Sequence, residues 1–371
     1  MKRKFARKLF NTKKIYDLNK TDDLFVKAMR ENAIYHYENC SEYKQILDNA
    51  NFNPYMVSTM EDIVNLPFLP TLYYKHHELF SKPLWRMPVK ATSSGTSSGL
   101  KSKVAMSIGD LWRGFKMIKK VFSYHKLWSI RPVTYLIFGY QPTRHSQKAI
   151  MKTAHGFTYI APAKKRVYAI RWTKNGYQVD LELMKQELIK ASKKKTPIRT
   201  IGFPAYTYFL LKEMDAEGIY LKMPKGSKIT VGGGWKQFYA EKVDKNEFYH
   251  LVRKVLGIEE KDCVEFFGAV EHPILYTDCK YHHFHVPVYA RVIIRDPETF
   301  RPVKNGKMGL INLMTPMIEG TPLLSVMTDD LGVLHDGCEC GESSPWLEII
   351  GRVGIKDITT CAQGADELLK G

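Results

Sequence analysis

Short apolar runs and longer amphipathic stretches alternate through most of this chain. Over residues 86–330 the runs are Val133–Phe138, Ile198–Phe203, Lys228–Val231, Val264–Phe267, Val286–Ile294 and Gly309–Met314. They are rich in β-branched and aromatic residues, and several are bounded by Gly or Pro, so they read as buried strands. The stretches Leu181–Ala191 and Phe238–Val255 carry helical periodicity. Strands alternating with helices predict an α/β architecture, and glycines placed just after strands point to phosphate or nucleotide contacts at strand ends. The first 85 residues follow another pattern. Thr21 with Asp22 and Asp23 makes a helix start. Phe25, Ala28, Met29 and Tyr37 then recur at roughly helical spacing, and Pro67 and Pro70 break the pattern. The expectation is a helical segment over residues 1–85 packed on the core, an α/β body over residues 86–350, and a short tail over residues 351–371.

Composition narrows this picture. With 371 residues, 44% of them hydrophobic and 12% aromatic, the chain can bury one large domain or two intimate ones. The formal net charge is +18, but the basic residues are spread out, and the runs Lys2–Lys4 and Lys193–Lys195 are short. This reads as a solvated basic surface that also attracts ATP, a fatty carboxylate or an acidic protein. No nucleic-acid module is visible, so nucleic acid is not expected as a partner. Met1–Phe10 is basic without an apolar core behind it, so no signal peptide is expected, and no apolar run reaches membrane-spanning length. The 6 cysteines do not make a disulfide framework in a chain this long. A cytoplasmic protein with free or metal-bound thiols is expected.

Candidate chemistry comes from small motifs. Thr92–Lys101 reads Thr-Ser-Ser-Gly-Thr-Ser-Ser-Gly-Leu-Lys. Small residues let backbone amides approach a phosphate, hydroxyls add donors and lysine adds charge. It lacks the Walker A spacing, and a flexible Ser/Gly linker would look the same. Thr230–Trp235 is a Gly-rich strand exit, common in α/β folds. Phe267-Gly268-Ala269-Val270-Glu271, Met327-Thr328-Asp329-Asp330-Leu331 and Gly351-Arg352 follow. Singly, each is as easily a turn carboxylate or a surface arginine.

Taken in order, these segments resemble the motifs of adenylate-forming enzymes. The resemblance implies the catalytic-domain fold of that superfamily over residues 86–350: mixed sheets with helices plus a small β-barrel-like part. It implies ATP and Mg²⁺ as cofactors. Ser94, Gly95, Thr96, Ser97, Ser98, Gly99 and Lys101 would cradle the phosphates, and Gly233 and Gly234 would flank adenine. Phe267 and Gly268 open the segment that carries Glu271, the Mg²⁺ ligand, while Asp330 and Arg352 would hold the ribose. The chain departs from the pattern in three ways. The first loop has one residue more between its glycines, Val270 replaces a threonine, and the mobile C-terminal domain with its catalytic lysine has no counterpart. Lys101 or Lys356 could supply charge in its place.

Finer text narrows the resemblance. Glu271-His272-Pro273, Phe284–Tyr289, Thr328–Leu331 and Cys361–Leu369 resemble the LuxE-type acyl-protein synthetases of bacterial luminescence. That resemblance implies Cys361, in the 351–371 tail, as the thiol that takes the acyl group from acyl-AMP as a thioester. It also implies an acyl reductase as the partner that collects the acyl group. His272 could serve near the substrate carboxylate.

Cys279, His282, His283 and His285 cluster ahead of Cys338-Glu339-Cys340. Cys279, His285, Cys338 and Cys340 form a set that suits tetrahedral zinc, and similar pairs occur in the phenylacetate-ligase branch. Free thiols beside surface histidines are the alternative. Three functions stay open. The first is a ligase that activates a carboxylic acid, a fatty acid foremost, and acylates Cys361. The second is a ligase whose acceptor is coenzyme A or a carrier protein, and the third is a non-catalytic nucleotide-binding module. Tyr206, Tyr208 and Phe209 suit an apolar acid pocket and ordinary core packing equally.

Overall fold

The computed structural model describes residues 3–92, 102–143, 149–235, 238 and 242–352. Two compact units divide the chain. One comprises residues 1–120, 268–276 and 283–371, the other residues 121–267 and 277–282.

The first unit opens with helices α1 (Lys4–Leu9), α2 (Asp22–Asn39), α3 (Ser41–Asn49) and α4 (Met60–Val64), then β1 (Leu69–Pro70) and α5 (Tyr73–His76). The hairpin β2 (Val89–Thr92) and β3 (Lys103–Met106) follows, then α6 (Ile108–Tyr124). The helix expected after Thr21 is α2, with Asp22 and Asp23 in its first turn and Phe25, Ala28 and Met29 buried. α1 is too short to hold itself and has no acidic residue in its first turn. Glu31 of α2 caps it instead, accepting from the backbone N–H groups of Lys4, Phe5 and Ala6 at 2.7, 3.1 and 3.1 Å. The carboxylate thus meets the exposed donors and the positive end of the helix dipole.

The second unit contains β4 (Val133–Tyr140), α7 (Ala149–Phe157), β5 (Ala163–Thr173), β6 (Gly176–Val179), α8 (Leu181–Ser192), β7 (Ile198–Gly202) and α9 (Pro204–Ala216). Then come β8 (Ile229–Gly232), α10 (Lys245–Leu256), β9 (Cys263–Phe267) and β10 (Tyr276–Asp278). β4 is parallel to both β5 and β7, and β8 is parallel to β9. Parallel strands need crossovers, which the intervening helices supply. α9 begins with Pro204 at its first position, and α10 ends on Gly257 in the left-handed region (φ 61°). Leu136, Phe138, Leu188, Ile198, Leu210 and Val252 anchor the core between sheet and helices.

The chain then returns to the first unit as β11 (Phe284–His285), β12 (Arg291–Arg295), β13 (Met308–Met314), β14 (Ser325–His335) and β15 (Trp346–Arg352). These pair in the order β12-β13-β14-β15-β11, all antiparallel, with β1 added in parallel to β14. The run Val286–Ile294 is therefore not one strand: β11 ends before it at His285, and only its part from Arg291 onward, in β12, is strand. Pro287 lacks an N–H for a ladder, and Ala290 N–H donates to Pro287 O at 2.9 Å to form a turn. The apolar side chains of this turn stay buried, Tyr289 stacking on Phe10 at 4.6 Å between centroids.

A buried polar network holds the first unit together. Asp110, fully buried in the first turn of α6, accepts from Ser107 N (2.7 Å), Glu319 N (2.8 Å), Gly320 N (3.2 Å) and Arg113 (2.6 Å). Arg113 also pairs with Glu319 at 2.7 Å, and Arg3 with Glu319 at 3.3 Å. Arg3 donates to Pro316 O at 2.7 Å and Arg113 to Met317 O at 2.7 Å. Ile318 O accepts from Asn32 (3.1 Å) and from His36 Nε2 (3.0 Å). A carbonyl only accepts, so Nε2 carries the proton and Nδ1 accepts the Ser81 hydroxyl at 2.6 Å. Gly320 is required by close approach, since a Cβ there would lie 2.2 Å from Ala105 O.

Asp110→Ala removes this carboxylate and leaves Arg113 and three backbone donors, those of Ser107, Glu319 and Gly320, without it; urea unfolding is expected to show a loss of about 3 kcal/mol or more. The pH dependence has a fixed sign. Burial lowers the His36 pKa from 6.5 to about 3. Burial alone would raise Glu319, but Arg3, Arg113 and Lys82 outweigh it and hold Glu319 at about 2 instead of 4.5. Both folded values lie below the unfolded ones, so both contributions are present at neutral pH. The His36 contribution falls away below pH 6.5 and the Glu319 contribution below pH 4.5. Unfolding free energies measured from pH 7.5 down should decline through both windows, and Glu319→Gln should flatten the lower one.

Candidate active site

In the second unit, β8 and β9 run parallel with Gly232 in register with Phe266, so Gly233, Gly234 and Phe267 stand at the carboxyl ends of neighbouring strands. That edge is where open α/β sheets form binding crevices. Gly233 (φ 82°) and Gly234 (φ 69°) take left-handed conformations. A Cβ at Gly233 would meet Ile150 Cδ1 at 2.8 Å and Phe203 Cε1 at 3.1 Å, so only glycine lets the chain pass. The Tyr206, Tyr208 and Phe209 side chains belong to, or pack on, the core of this unit.

In the first unit, the segment after Gly268 folds tightly, with Ile274 N–H donating to His272 O at 2.8 Å. Glu271 is buried. Burial raises its pKa, and a hydrogen bond from Ser102 and the charge of Lys75 oppose that rise. His272 is fully buried, with Nε2 2.9 Å from the Tyr276 hydroxyl, and burial lowers it to about 3. It is a neutral imidazole at physiological pH.

The tandem aspartates separate. Leu310 pairs with Leu331 and Asn312 with Met327, so Thr328–Asp330 all stand opposite Ile311 in a bulge of β14. Asp329 is turned inward and accepts from the Thr71 hydroxyl at 2.5 Å. Asp330 is in register with Arg352 of β15 and receives its Nε at 3.2 Å. The structure brings Asp330 and Arg352 together, with the arginine more than half exposed. Sequence reasoning missed Thr71; its proximity comes only from β1 lying parallel to β14.

The Ser94–Gly99 stretch and Lys101 lie outside the described residues, as do Lys356 and Cys361. The flanks of the Ser/Thr/Gly stretch are β2 and β3, paired from Val89↔Met106 to Thr92↔Lys103. The motif thus joins two antiparallel strands, unlike a phosphate loop that opens a helix.

The Cys/His cluster is partly assembled within the first unit. The ligand atoms of His285, Cys338 and Cys340 lie within 4.8 Å of one another. His285 Nε2 is 3.2 Å from Cys340 Sγ, and its Nδ1 is 3.1 Å from Ser344 O. Donation to that carbonyl puts the proton on Nδ1 and frees the Nε2 lone pair, the orientation metal-binding histidines take. Glu342 N–H donates to Cys340 Sγ at 3.4 Å. His283 Nδ1 lies 3.3 Å from Cys338 Sγ, and its ring stacks on Trp346 at 3.6 Å. Cys279 stands in the 277–282 segment of the second unit. Two thiols and an imidazole with an oriented lone pair can bind a metal ion.

Comparison with known proteins follows the same line. Residues 10–370 match the family model described as acyl-protein synthetase, LuxE. A long-chain-fatty-acid–luciferin-component ligase from Aliivibrio fischeri is 26% identical over 343 residues, covering 91% of this chain and 86% of that one. One from Vibrio harveyi is 26% identical over 331 residues, covering 88% and 83%. Among solved structures, 2-hydroxyisobutyryl-CoA ligase in complex with 2-HIB-AMP superposes with a TM-score of 0.67 at 14% identity, covering 92% of this chain and 70% of that one. An open conformation of that ligase with 2-HIB-AMP and CoA gives 0.67 at 15% identity. The fold is that of adenylate-forming enzymes, mixed α/β with several sheets, as the motif order implied.

Elemental analysis of the purified protein is expected to find roughly one bound metal ion per chain. Cys340→Ser should lower metal affinity by roughly tenfold or more, and wild-type protein free of metal under non-chelating purification would count against the site.

Proposed function

The chain belongs to the LuxE family of acyl-protein synthetases, and from that premise we propose that it is an ATP-dependent acid–thiol ligase that activates a long-chain fatty acid and passes the acyl group to a protein cysteine. The match over residues 10–370 carries this reading. Both A. fischeri and V. harveyi relatives are described as fatty-acid ligases.

The reaction has two balanced steps. A carboxylate oxygen of the fatty acid attacks the α-phosphorus of ATP, and pyrophosphate leaves with the electron pair of the broken P–O bond. The acyl-AMP is then attacked at its carbonyl carbon by a thiolate. A thioester forms and AMP departs. The Ser94–Gly99 stretch with Lys101 is assigned to the phosphates, Gly233 and Gly234 to the adenine, and Asp330 with Arg352 to the ribose hydroxyls. The Asp330–Arg352 pair supports its role because the arginine fixes the carboxylate and leaves it partly open to solvent. Glu271 is assigned to Mg²⁺. A buried carboxylate whose pKa burial raises gains from a hard cation beside it. When bound, the ion neutralises charge building on the phosphate oxygens.

Cys361 is assigned as the acyl acceptor, and an acyl reductase as the protein that takes the acyl group onward. His285, Cys338 and Cys340 are assigned to a structural zinc ion, with Cys279, six positions before His285, as the fourth ligand. Reduced thiols suit work in the cytoplasm. Among the described residues no helix is long and apolar enough to cross a membrane.

Intact-protein mass after incubation with ATP, Mg²⁺ and fatty acids of graded length tests the proposal. An ATP-dependent acyl adduct is expected, removed by hydroxylamine and missing from Cys361→Ser. Pyrophosphate exchange without any adduct would move the acceptor to an external thiol such as coenzyme A. Loss of both would overturn the ligase reading. Glu271→Gln is expected to slow pyrophosphate exchange by roughly a hundredfold or more, as loss of a main electrostatic contact does.

A further inference from the structure

The first turns of helix α6 are built inside out. Its charged groups Asp110 and Arg113 are buried in the first unit, together with Met117. Its outward face is apolar: Ile108 is 74% exposed, Leu111 37%, Trp112 58% and Phe115 44%. These positions follow the i, i+3, i+4, i+7 spacing of a single helical stripe, and the Trp112 and Phe115 rings stack at 5.9 Å. The buried Asp110 network forces this arrangement, because the ion pairs that tie α6 to the 316–320 segment take the inward face. A contiguous apolar stripe held open to water marks an interaction surface.

Charge identifies the occupant. Asp110 is the acidic residue of α6, and it is buried against Arg113. Around the stripe the charge is positive. Lys116 Nζ lies 5.5 Å from the Trp112 ring centroid and 2.6 Å from Asn11 Oδ1. Lys119 is exposed on the next turn. Lys120 donates to Phe10 O at 2.9 Å and Thr12 O at 2.5 Å, which holds the following Lys13 and Lys14, both exposed, beside the helix. The whole chain carries +18.

We propose that this face of α6 docks the protein on an anionic lipid surface. Ile108, Leu111, Trp112 and Phe115 enter the boundary between headgroups and acyl chains, and the flanking lysines meet lipid phosphates. Tryptophan and phenylalanine beside long lysine side chains are the composition of interfacial helices, where aliphatic stems lie with the apolar layer and ammonium groups reach the phosphates. Docking needs neither ATP nor acyl transfer, so it stands or falls separately from the ligase reading.

Co-sedimentation of the full chain with phosphatidylcholine vesicles, with and without phosphatidylglycerol, tests the proposal. Wild-type protein should bind the phosphatidylglycerol vesicles, release from them as salt rises, and ignore ATP. The double variant Trp112→Ser, Phe115→Ser should bind roughly tenfold more weakly, with its thermal unfolding and its pyrophosphate exchange on a soluble acid kept. Lys116→Glu with Lys119→Glu should abolish the preference for phosphatidylglycerol. Wild-type protein that stays in the supernatant, or a serine variant that binds as well as wild type, overturns the proposal. So does a serine variant that merely turns an oligomer into a monomer on size-exclusion chromatography, because the stripe would then join copies of this chain.

Discussion

Asp110 and Glu319 are two carboxylates set beside two arginines inside one unit, and neither arginine could be buried without them. Arg3 reaches Glu319 from the start of the chain and Arg113 from α6, while the backbone of the 316–320 segment donates to Asp110. Removing water from these charges is costly, and the cost is offset only when every partner is in place. The network therefore demands that α1, α2, α6 and the approach to β14 all hold their positions at once. Residues separated by 200 and more positions in sequence meet there.

This demand reaches the chemistry through short connections. Thr321, next to Gly320, accepts from Ala105 N–H at 3.1 Å and donates to Ala105 O at 3.2 Å. It pins β3, and so the hairpin that carries the Ser/Thr/Gly stretch, to the segment leading into β14. β14 then carries Thr328–Asp330, and β15 carries Arg352. A carboxylate that is to meet ribose, as proposed for Asp330, must sit within about half an ångström of its place, and rigid strands fixed by a buried network are the means by which a fold does this.

Much of this was legible in the sequence, and the limits follow from physics. The strands at Val133, Ile198 and Val264 announced themselves because each is a short, largely buried run rich in β-branched or aromatic residues. β14 did not, because its bulge places Thr328, Asp329 and Asp330 in the middle of a strand, where polar residues look like a turn. β5 was missed for a related reason: it is lined with Lys164, Lys165 and Arg166. The Cys338/Cys340 pair and His285 could be grouped from spacing and ligand chemistry alone. Arg3, Asp110 and Glu319 could not, since nothing local distinguishes a buried charge from a solvated one, and their partners lie far away along the chain. α6 was similarly hidden, because its first turns bury Asp110 and Arg113 and expose Ile108, Leu111, Trp112 and Phe115, which breaks the rule by which helices are oriented.

The bulge in β14 also bears on how roles are transferred between relatives. Two identical residues, adjacent in the chain, have been given opposite jobs: Asp329 is bound to Thr71, and Asp330 faces Arg352. At 26% identity a gap shifted by one position leaves an alignment score almost unchanged. It would nevertheless move the proposed nucleotide contact to a carboxylate sealed inside the sheet. Alignments through this region are safest when anchored on Thr71 and Arg352, the partners that tell the two aspartates apart.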